Sequence, residues 1–482
     1  MAPPASAATA APAAAGPDAS TASLPLTSRG PGDVLFRRGD VAVTADRFLR
    51  DVAALAARLP DRRHALNLCA DRYGFLVAFA AALVRGQVSL LSSDRSARGL
   101  AQIASRYPDT YTLGDESPPS GGGVAVVEHA AVALDERAGR EPAANPMIPA
   151  GRTAAIVFTS GSTGDPVPNP KPWAALVACS EAAAERFGLA EPAAAASMVG
   201  TVPPQHMYGF ETTVLLPLHA AVSSYAGSTF FPRDVAEALA RVPGPRTLVT
   251  TPLQMRALLS AAQPLPPLAQ VISATAPLPV ELAREAEAAW GTRVLEIFGA
   301  TEVGSIASRR TVEGDAWRAY RTVRLAPAGE NPAASAATAA LVAHLPGPVI
   351  LADQVELLRD DSFRLLGRQT DVVKLAGKRA SLAGLSAILR GIEGVEDGAF
   401  FAPDDLDSNP RARLAALVVA PTRSADEIAS ALRARVEAPF LPRRVVKVDS
   451  LPRNEVGKLP RSALAELLRR DGTNPVGHPG AA

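Results

Sequence analysis

From about residue 33 onward, short apolar runs alternate with alanine-rich amphipathic stretches, the pattern of strands and helices stacked in layers. Residues 46–58 and 73–84 carry helical spacing, and 153–158 is a compact strand-like run followed by a hydroxyl-rich turn and a helical pattern over 174–187. Strand-then-helix units recur at 246–250 with 252–262 and at 270–274 with 279–290, and 294–298 adds a further strand. The segment 326–340 interleaves alanine with Gly, Pro, Ser and Asn and reads as a loop. Past Gly367 the units become compact: strands at 371–375, 395–401, 414–419 and 444–448, with helices at 381–390 and 425–436. The pattern predicts an α/β protein: a large N-terminal domain of layered sheets and helices over 31–367 and a small α+β domain over 368–470. The Ala/Pro-rich stretch 1–30 and the Gly/Pro-rich stretch 471–482 read as disordered tails.

At 482 residues the chain exceeds what one core organises. Its 49 Lys and Arg against 48 Asp and Glu give no basic footprint for nucleic acid or an anionic membrane, so small-molecule chemistry is the expectation. The richest apolar run, 75–84, ends at Arg85, well short of the ~18 residues of a membrane span. Cys69 and Cys179 read as buried thiols of a reducing compartment, which points to the cytoplasm. His64, His129, His219, His344 and His478 show no metal-ligand spacing.

Three short segments carry candidate chemistry. Thr159, Ser160, Gly161, Ser162, Thr163 and Gly164 crowd hydroxyls and glycines into one turn, where N–H and O–H donors can converge on phosphate; alone, such a hexamer is as readily a surface turn. No Lys-Ser or Lys-Thr follows at Walker spacing, which argues against ordinary nucleotide hydrolases. Glu296-Ile-Phe-Gly-Ala-Thr-Glu302 sets a hydroxyl and a carboxylate just past a strand end, suited to a hard cation or simply to a solvated cap. Near the C-terminus, Pro452-Arg-Asn-Glu-Val-Gly457-Lys458 puts a lysine on a glycine turn, by itself an ordinary exposed loop.

In this order, over residues 150–461, the pieces resemble the adenylate-forming superfamily of acyl- and aryl-CoA synthetases, peptide-synthetase adenylation domains and luciferases. The resemblance implies that Thr159–Gly164 holds phosphate, that Ala274, Thr275 and Ala276 lie beside adenine, and that Phe298 and Gly299, with Glu296 before them, belong to the aromatic-Gly-x-Thr-Glu motif. It further implies that Thr301 touches the α-phosphate, Glu302 holds Mg²⁺, and Asp353 with Arg368 binds ribose. Lys374 and Gly377 would line a thiol tunnel, and Lys458, on a mobile C-terminal domain, would be the catalytic lysine. A cation that contacts both attacking carboxylate and α-phosphate at once is worth ~10² to 10³ in rate.

Several positions depart from the pattern. Val167 stands where the family has a lysine, so either Lys171 supplies the β/γ-phosphate contact or that contact is missing. Leu351-Ala352-Asp353 replaces Thr-Gly-Asp, Glu296 replaces an asparagine, and Thr370 replaces a hinge aspartate. His206, Tyr208 and Gly209 match a segment that borders the acid pocket, although a histidine there is nearly as readily part of the core. The block 66–73 and Asn169-Pro-Lys-Pro-Trp173 look similar to a branch found with aryl polyene and xanthomonadin-type pigment pathways. The resemblance implies ATP- and Mg²⁺-dependent activation of a carboxylic acid, aromatic and hydroxybenzoate-like, and transfer to an acyl carrier protein or CoA thiol. A fatty acyl-CoA ligase and a catalytically silent nucleotide- or carrier-binding scaffold are the alternatives.

Overall fold

The computed structural model describes residues 22–92, 95–115, 129–132, 143–160, 166–191, 195–328, 337–368, 372–375, 378–403, 406, 412–453 and 459–472. Among these, six parallel strands run through the largest sheet, in the order Val34–Arg38, Val222–Tyr225, Ala196–Gly200, Arg246–Thr250, Gln270–Ser273 and Arg293–Ala300. Ala196–Gly200, Val222–Tyr225 and Gln270–Ser273 are buried at every position, as parallel strands are when both faces are covered. Past Arg293–Ala300 the sheet turns antiparallel through Gly304–Arg310, Ala316–Ala319, Ser362–Arg368 and Asp353–Leu357.

A second sheet runs Pro166–Pro172, Thr153–Ser160, Val88–Leu91, His64–Asn67, Thr110–Gly114 and His129–Ala131. Packed between the sheets, the helix Arg72–Val84 is buried at every position from Arg72 to Leu83. That explains the apolar run 75–84 without a membrane: it is the centre of a core that includes Phe75, Phe79, Trp173 and Phe210. Among the described residues no helix is long and apolar enough to cross a bilayer.

Toward the C-terminus, buried residues from Val373 to Phe440 form a hydrophobic cluster separate from those of the large sheets. It joins the strands Asp397–Phe401, Ala415–Val419 and Arg444–Lys447 with the helices Leu382–Arg390 and Ala425–Arg433.

Three sequence expectations need correction. The N-terminal tail was expected to reach residue 30, but Ser23–Pro25 pairs with Met147–Pro149, and Leu26 and Thr27 are buried. Part of 326–340 is strand: Val323–Pro327 pairs with Thr338–Val342, where Thr338, Ala339 and Ala340 are buried. The phosphate turn is followed by a strand, Pro166–Pro172, before the helix Trp173–Arg186. Prolines at 166, 168 and 170 look like breakers, but they alternate, so the missing N–H groups share one side. As an edge strand this segment can still pair through Val167, Asn169 and Lys171 with Thr153–Ser160.

Candidate functional site

The parallel strands deliver the motifs to one rim of the sheet. In register, Thr250, Ser273 and Glu296 lie side by side on adjacent strands, and the segments that leave those strands are 274–276 and 299–303. In open α/β sheets this carboxyl-end rim is where ligands bind.

Strand Arg293–Ala300 bulges at Phe298/Gly299, turns through residues 301–303 with a Val303 N–H bond to the Ala300 carbonyl (3.0 Å), and returns as Gly304–Arg310. The turn needs its glycines: a Cβ at Gly299 would stand 2.6 Å from the Gly304 carbonyl oxygen, and Gly304 has φ +94°. Thr301 is half-buried and Glu302 exposed, so the carboxylate is open to solvent.

Lys171, the candidate phosphate cation, is 2% exposed and its Nζ donates to the Glu302 backbone carbonyl at 2.8 Å. Burial lowers its pKa to about 8, partly offset by the Glu211 carboxylate. Val167 is exposed. Sequence reading missed Glu211, although one carboxylate inside the apolar run 207–218 was the available signal. A π-helical turn, Phe210–Leu215, carries it, a geometry frequent at functional sites. Its carboxylate accepts from Ser305 N (3.2 Å), Ser305 Oγ (2.6 Å) and Cys179 Sγ (3.3 Å).

Glu296 faces inward. Its Oε1 accepts from Leu278 N (2.8 Å), and its Oε2 from Arg309 Nε (2.8 Å) and Thr311 Oγ1 (3.0 Å). Burial raises its pKa, and Arg309 pulls it back down. With both oxygens engaged, Glu296 serves the site as a strut between strand Arg293–Ala300 and the end of the 274–278 segment. Within that segment Ala274 is buried, Ala276 half-buried, and Thr275 holds φ +81°, strained backbone for a β-branched residue. The Phe298 ring sits 5.7 Å from Trp317 and 5.9 Å from Phe363, held in an aromatic cluster at the rim.

Asp353 and Arg368 are register partners across an antiparallel pair at the sheet edge, which brings the ribose candidates together along the backbone. His206 caps the short helix Met207–Gly209, its Nδ1 accepting from Tyr208 N at 3.3 Å. Tyr208 is buried, and its hydroxyl donates to the carbonyls of Ile272 (2.8 Å) and Thr250 (3.2 Å), bracing two parallel strands. Gly209 is there for space, since a Cβ would meet the Pro203 carbonyl oxygen at 2.1 Å. Block 66–73 turns out to be a clamp on the loop that leads to His206. Arg72 donates to the carbonyls of Gly200, Val202 (2.9 Å) and Gly227 (2.7 Å), and Gln205 donates to the Cys69 carbonyl (2.6 Å).

Thr159 and Ser160 close strand Thr153–Ser160, and Lys374 lies on strand Val372–Leu375. Gly161, Ser162, Thr163, Gly164, Thr370, Gly377 and Lys458 lie outside the described residues.

The donors fit a hard divalent cation of the magnesium type, which takes oxygen ligands and borrows several from phosphate and water. Thr301 and Glu302 supply a hydroxyl and an exposed carboxylate, and no group of three or more His, Cys, Asp or Glu forms a protein cage among the described residues.

This fold and rim define a class: residues 53–333 match the AMP-binding enzyme family, and the chain belongs to it, within the adenylate-forming superfamily. Among curated relatives, a 4-coumarate–CoA ligase of Rhodobacter capsulatus is 31% identical over 315 residues, spanning 64% of this chain and 75% of that protein. One of Halorhodospira halophila is 31% identical over 320 residues, with the same coverage. ATP-bound MatB from Rhodopseudomonas palustris superposes with a TM-score of 0.77 at 19% identity, over 90% of this chain and 96% of that one. The O-succinylbenzoate coenzyme A synthetase MenE from Bacillus subtilis, in complex with ATP and magnesium ion, gives 0.76 at 16%, over 92% and 100%. These two likenesses establish the shared fold.

Proposed function

We propose that this chain is an ATP- and Mg²⁺-dependent acid–thiol ligase that activates an aromatic, hydroxybenzoate-like carboxylic acid and passes the acyl group to a phosphopantetheine thiol, on an acyl carrier protein or on CoA. The observation that carries the reading is that Ala274–Ala276, Thr301–Glu302 and the loop before His206 all leave the carboxyl ends of parallel strands of one sheet, the first two from adjacent strands and the third from two strands further along. The 4-coumarate–CoA ligases among its relatives support an aromatic acid.

In the first step a carboxylate oxygen of the acid attacks the α-phosphorus of ATP; the bond to the β-phosphate oxygen breaks, and pyrophosphate leaves. In the second, a thiolate attacks the acyl carbonyl and AMP departs with the C–O electron pair. Bound Mg²⁺ would neutralise phosphate charge. The protein's part is to orient adenine along 274–276 and ribose at Asp353 and Arg368, to present the Thr301 hydroxyl to the α-phosphate, and to bring Lys458 to the reacting oxygens when the small domain closes. His206, at the mouth of its loop, would donate to the acid.

Pyrophosphate exchange with a panel of aryl and fatty acids is the test. Exchange with hydroxybenzoates supports the proposal, and exchange with long-chain acids alone would shift it to a fatty acyl ligase. Folded protein that binds ATP yet exchanges with no acid would refute it in favour of a silent scaffold, a reading that the exposed Val167 motivates. In an active protein Lys458→Ala should cost ~10² to 10³ in adenylation rate with ATP affinity retained.

A further inference from the structure

The family's phosphate-loop cation is displaced in this chain from an exposed position to a buried one four residues along a strand, roughly 13 Å farther from the loop tip at ~3.3 Å per residue. The ammonium does not face solvent there. It donates to the backbone carbonyl of Glu302, a residue whose side chain is exposed and whose charge also acts on the ammonium. Three residues on, the Glu211 carboxylate grips the other side of the same turn through the Ser305 N–H and hydroxyl. Between the two grips Gly304 passes so close to Glu211 that a Cβ would stand 2.5 Å from its Oε1. The π-helical turn that aims Glu211 is anchored in turn by Thr212 and Thr213, whose hydroxyls donate to the carbonyls of Tyr208 (2.6 Å) and Gly209 (2.7 Å).

We propose that Lys171 and Glu211 are positioning residues for the metal-holding carboxylate: together they clamp the 301–305 turn from beneath and so hold Glu302 in its exposed pose. Lys171 thereby acts on the nucleotide's metal through Glu302 and makes no phosphate contact of its own. Because Lys171 sits on the strand that leaves the phosphate turn, the clamp also fixes that hairpin against the Thr-Glu turn. The proposal rests on Glu302 holding Mg²⁺ in the reading above.

The test uses the full chain with Lys171→Met, Lys171→Arg and Glu211→Gln. Mn²⁺ binding in the presence of ATP is followed by electron paramagnetic resonance, ATP binding without metal by calorimetry, and pyrophosphate exchange at varied acid and Mg²⁺. Lys171→Met should weaken Mn²⁺ binding and raise half-saturating Mg²⁺ about tenfold or more, the scale of losing a residue that orients a metal ligand. Metal-free ATP affinity and the acid KM should stay within about twofold, and Lys171→Arg should recover part of the loss. Wild-type metal dependence in Lys171→Met overturns the proposal. So does an equal loss of metal-free ATP affinity, which would make Lys171 a phosphate ligand. If Lys171→Met does not fold, Glu211→Gln decides on the same readouts, and unchanged Mn²⁺ binding there overturns the clamp. A wild-type protein that binds Mn²⁺-ATP but exchanges with no acid sinks the ligase reading alone, since the binding experiment still measures the clamp.

Discussion

Replacing Arg309 by methionine strips Glu296 of its cation and also removes the guanidinium that stacks over the Trp317 ring at 4.5 Å. Glu296 has a side-chain exposure of 4% and Arg309 of 17%, so water can do little to compensate. Breaking a buried pair by removing one partner typically costs about 3–5 kcal/mol. Here the Leu278 N–H and Thr311 hydroxyl still face the carboxylate, which argues for the lower end, about 3 kcal/mol at pH 8. The pH dependence has a definite sign. Burial already holds the folded pKa of Glu296 above its ordinary value, and losing Arg309 raises it further. The folded variant then binds more protons than the unfolded chain between the two pKa values, so the penalty grows as pH rises through that window and shrinks toward pH 4.5. Urea unfolding at pH 5 and pH 8 measures this through the midpoint shift at constant slope. The double variant Glu296→Gln/Arg309→Met should recover part of the loss, because it leaves no uncompensated charge. A loss below about 1 kcal/mol at pH 8, flat with pH, would refute the account of Glu296 as a buried, arginine-compensated strut.

Other perturbations probe separate parts of the frame. His219 is half-buried against Trp173 with its Nε2 shielded from solvent, and that desolvation takes its pKa from 6.5 down to about 4. The unfolded chain binds the extra proton between those values, so stability should fall by ~2 kcal/mol on going from pH 8 to pH 5, and His219→Phe should flatten that stretch of the unfolding curve. Gly304→Ala combines positive φ with a clash against Glu211 and should cost about 2–4 kcal/mol in urea midpoint; an unchanged midpoint would show that the turn is not as drawn. Tyr208→Phe removes a donor from two strand-end carbonyls and should cost about 1–2 kcal/mol while leaving the acid KM within twofold; a selective rise in that KM would put the phenol in the substrate pocket.

Much of the fold was legible because burial writes itself into the sequence. The strands Arg246–Thr250 and Gln270–Ser273 and the helices Arg72–Val84 and Val280–Trp290 stand where apolar periodicity put them, within a residue or two. The strand Pro166–Pro172 was not legible, since proline scores as a breaker unless one knows that the strand lies at an edge. Thr338–Val342 was hidden for a related reason: small residues read as loop when the partner that makes them a ladder is remote in sequence. At the site, residue types could be read but not their direction. Glu296 and Tyr208 stand in the motif segments, yet whether a carboxylate or phenol faces the nucleotide or the core depends on Arg309 and on the carbonyls of Thr250 and Ile272. Lys171 was noticed as a displaced cation, but only the tertiary fold brings it to Glu302, 131 positions away.

The alternating prolines of the phosphate-turn hairpin have a consequence for the life of the protein at high concentration. A sheet border with free amide donors invites a stranger's chain to extend it. By withholding donors along its outer margin, this ribbon accepts neighbours on one side alone, so the sheet ends there.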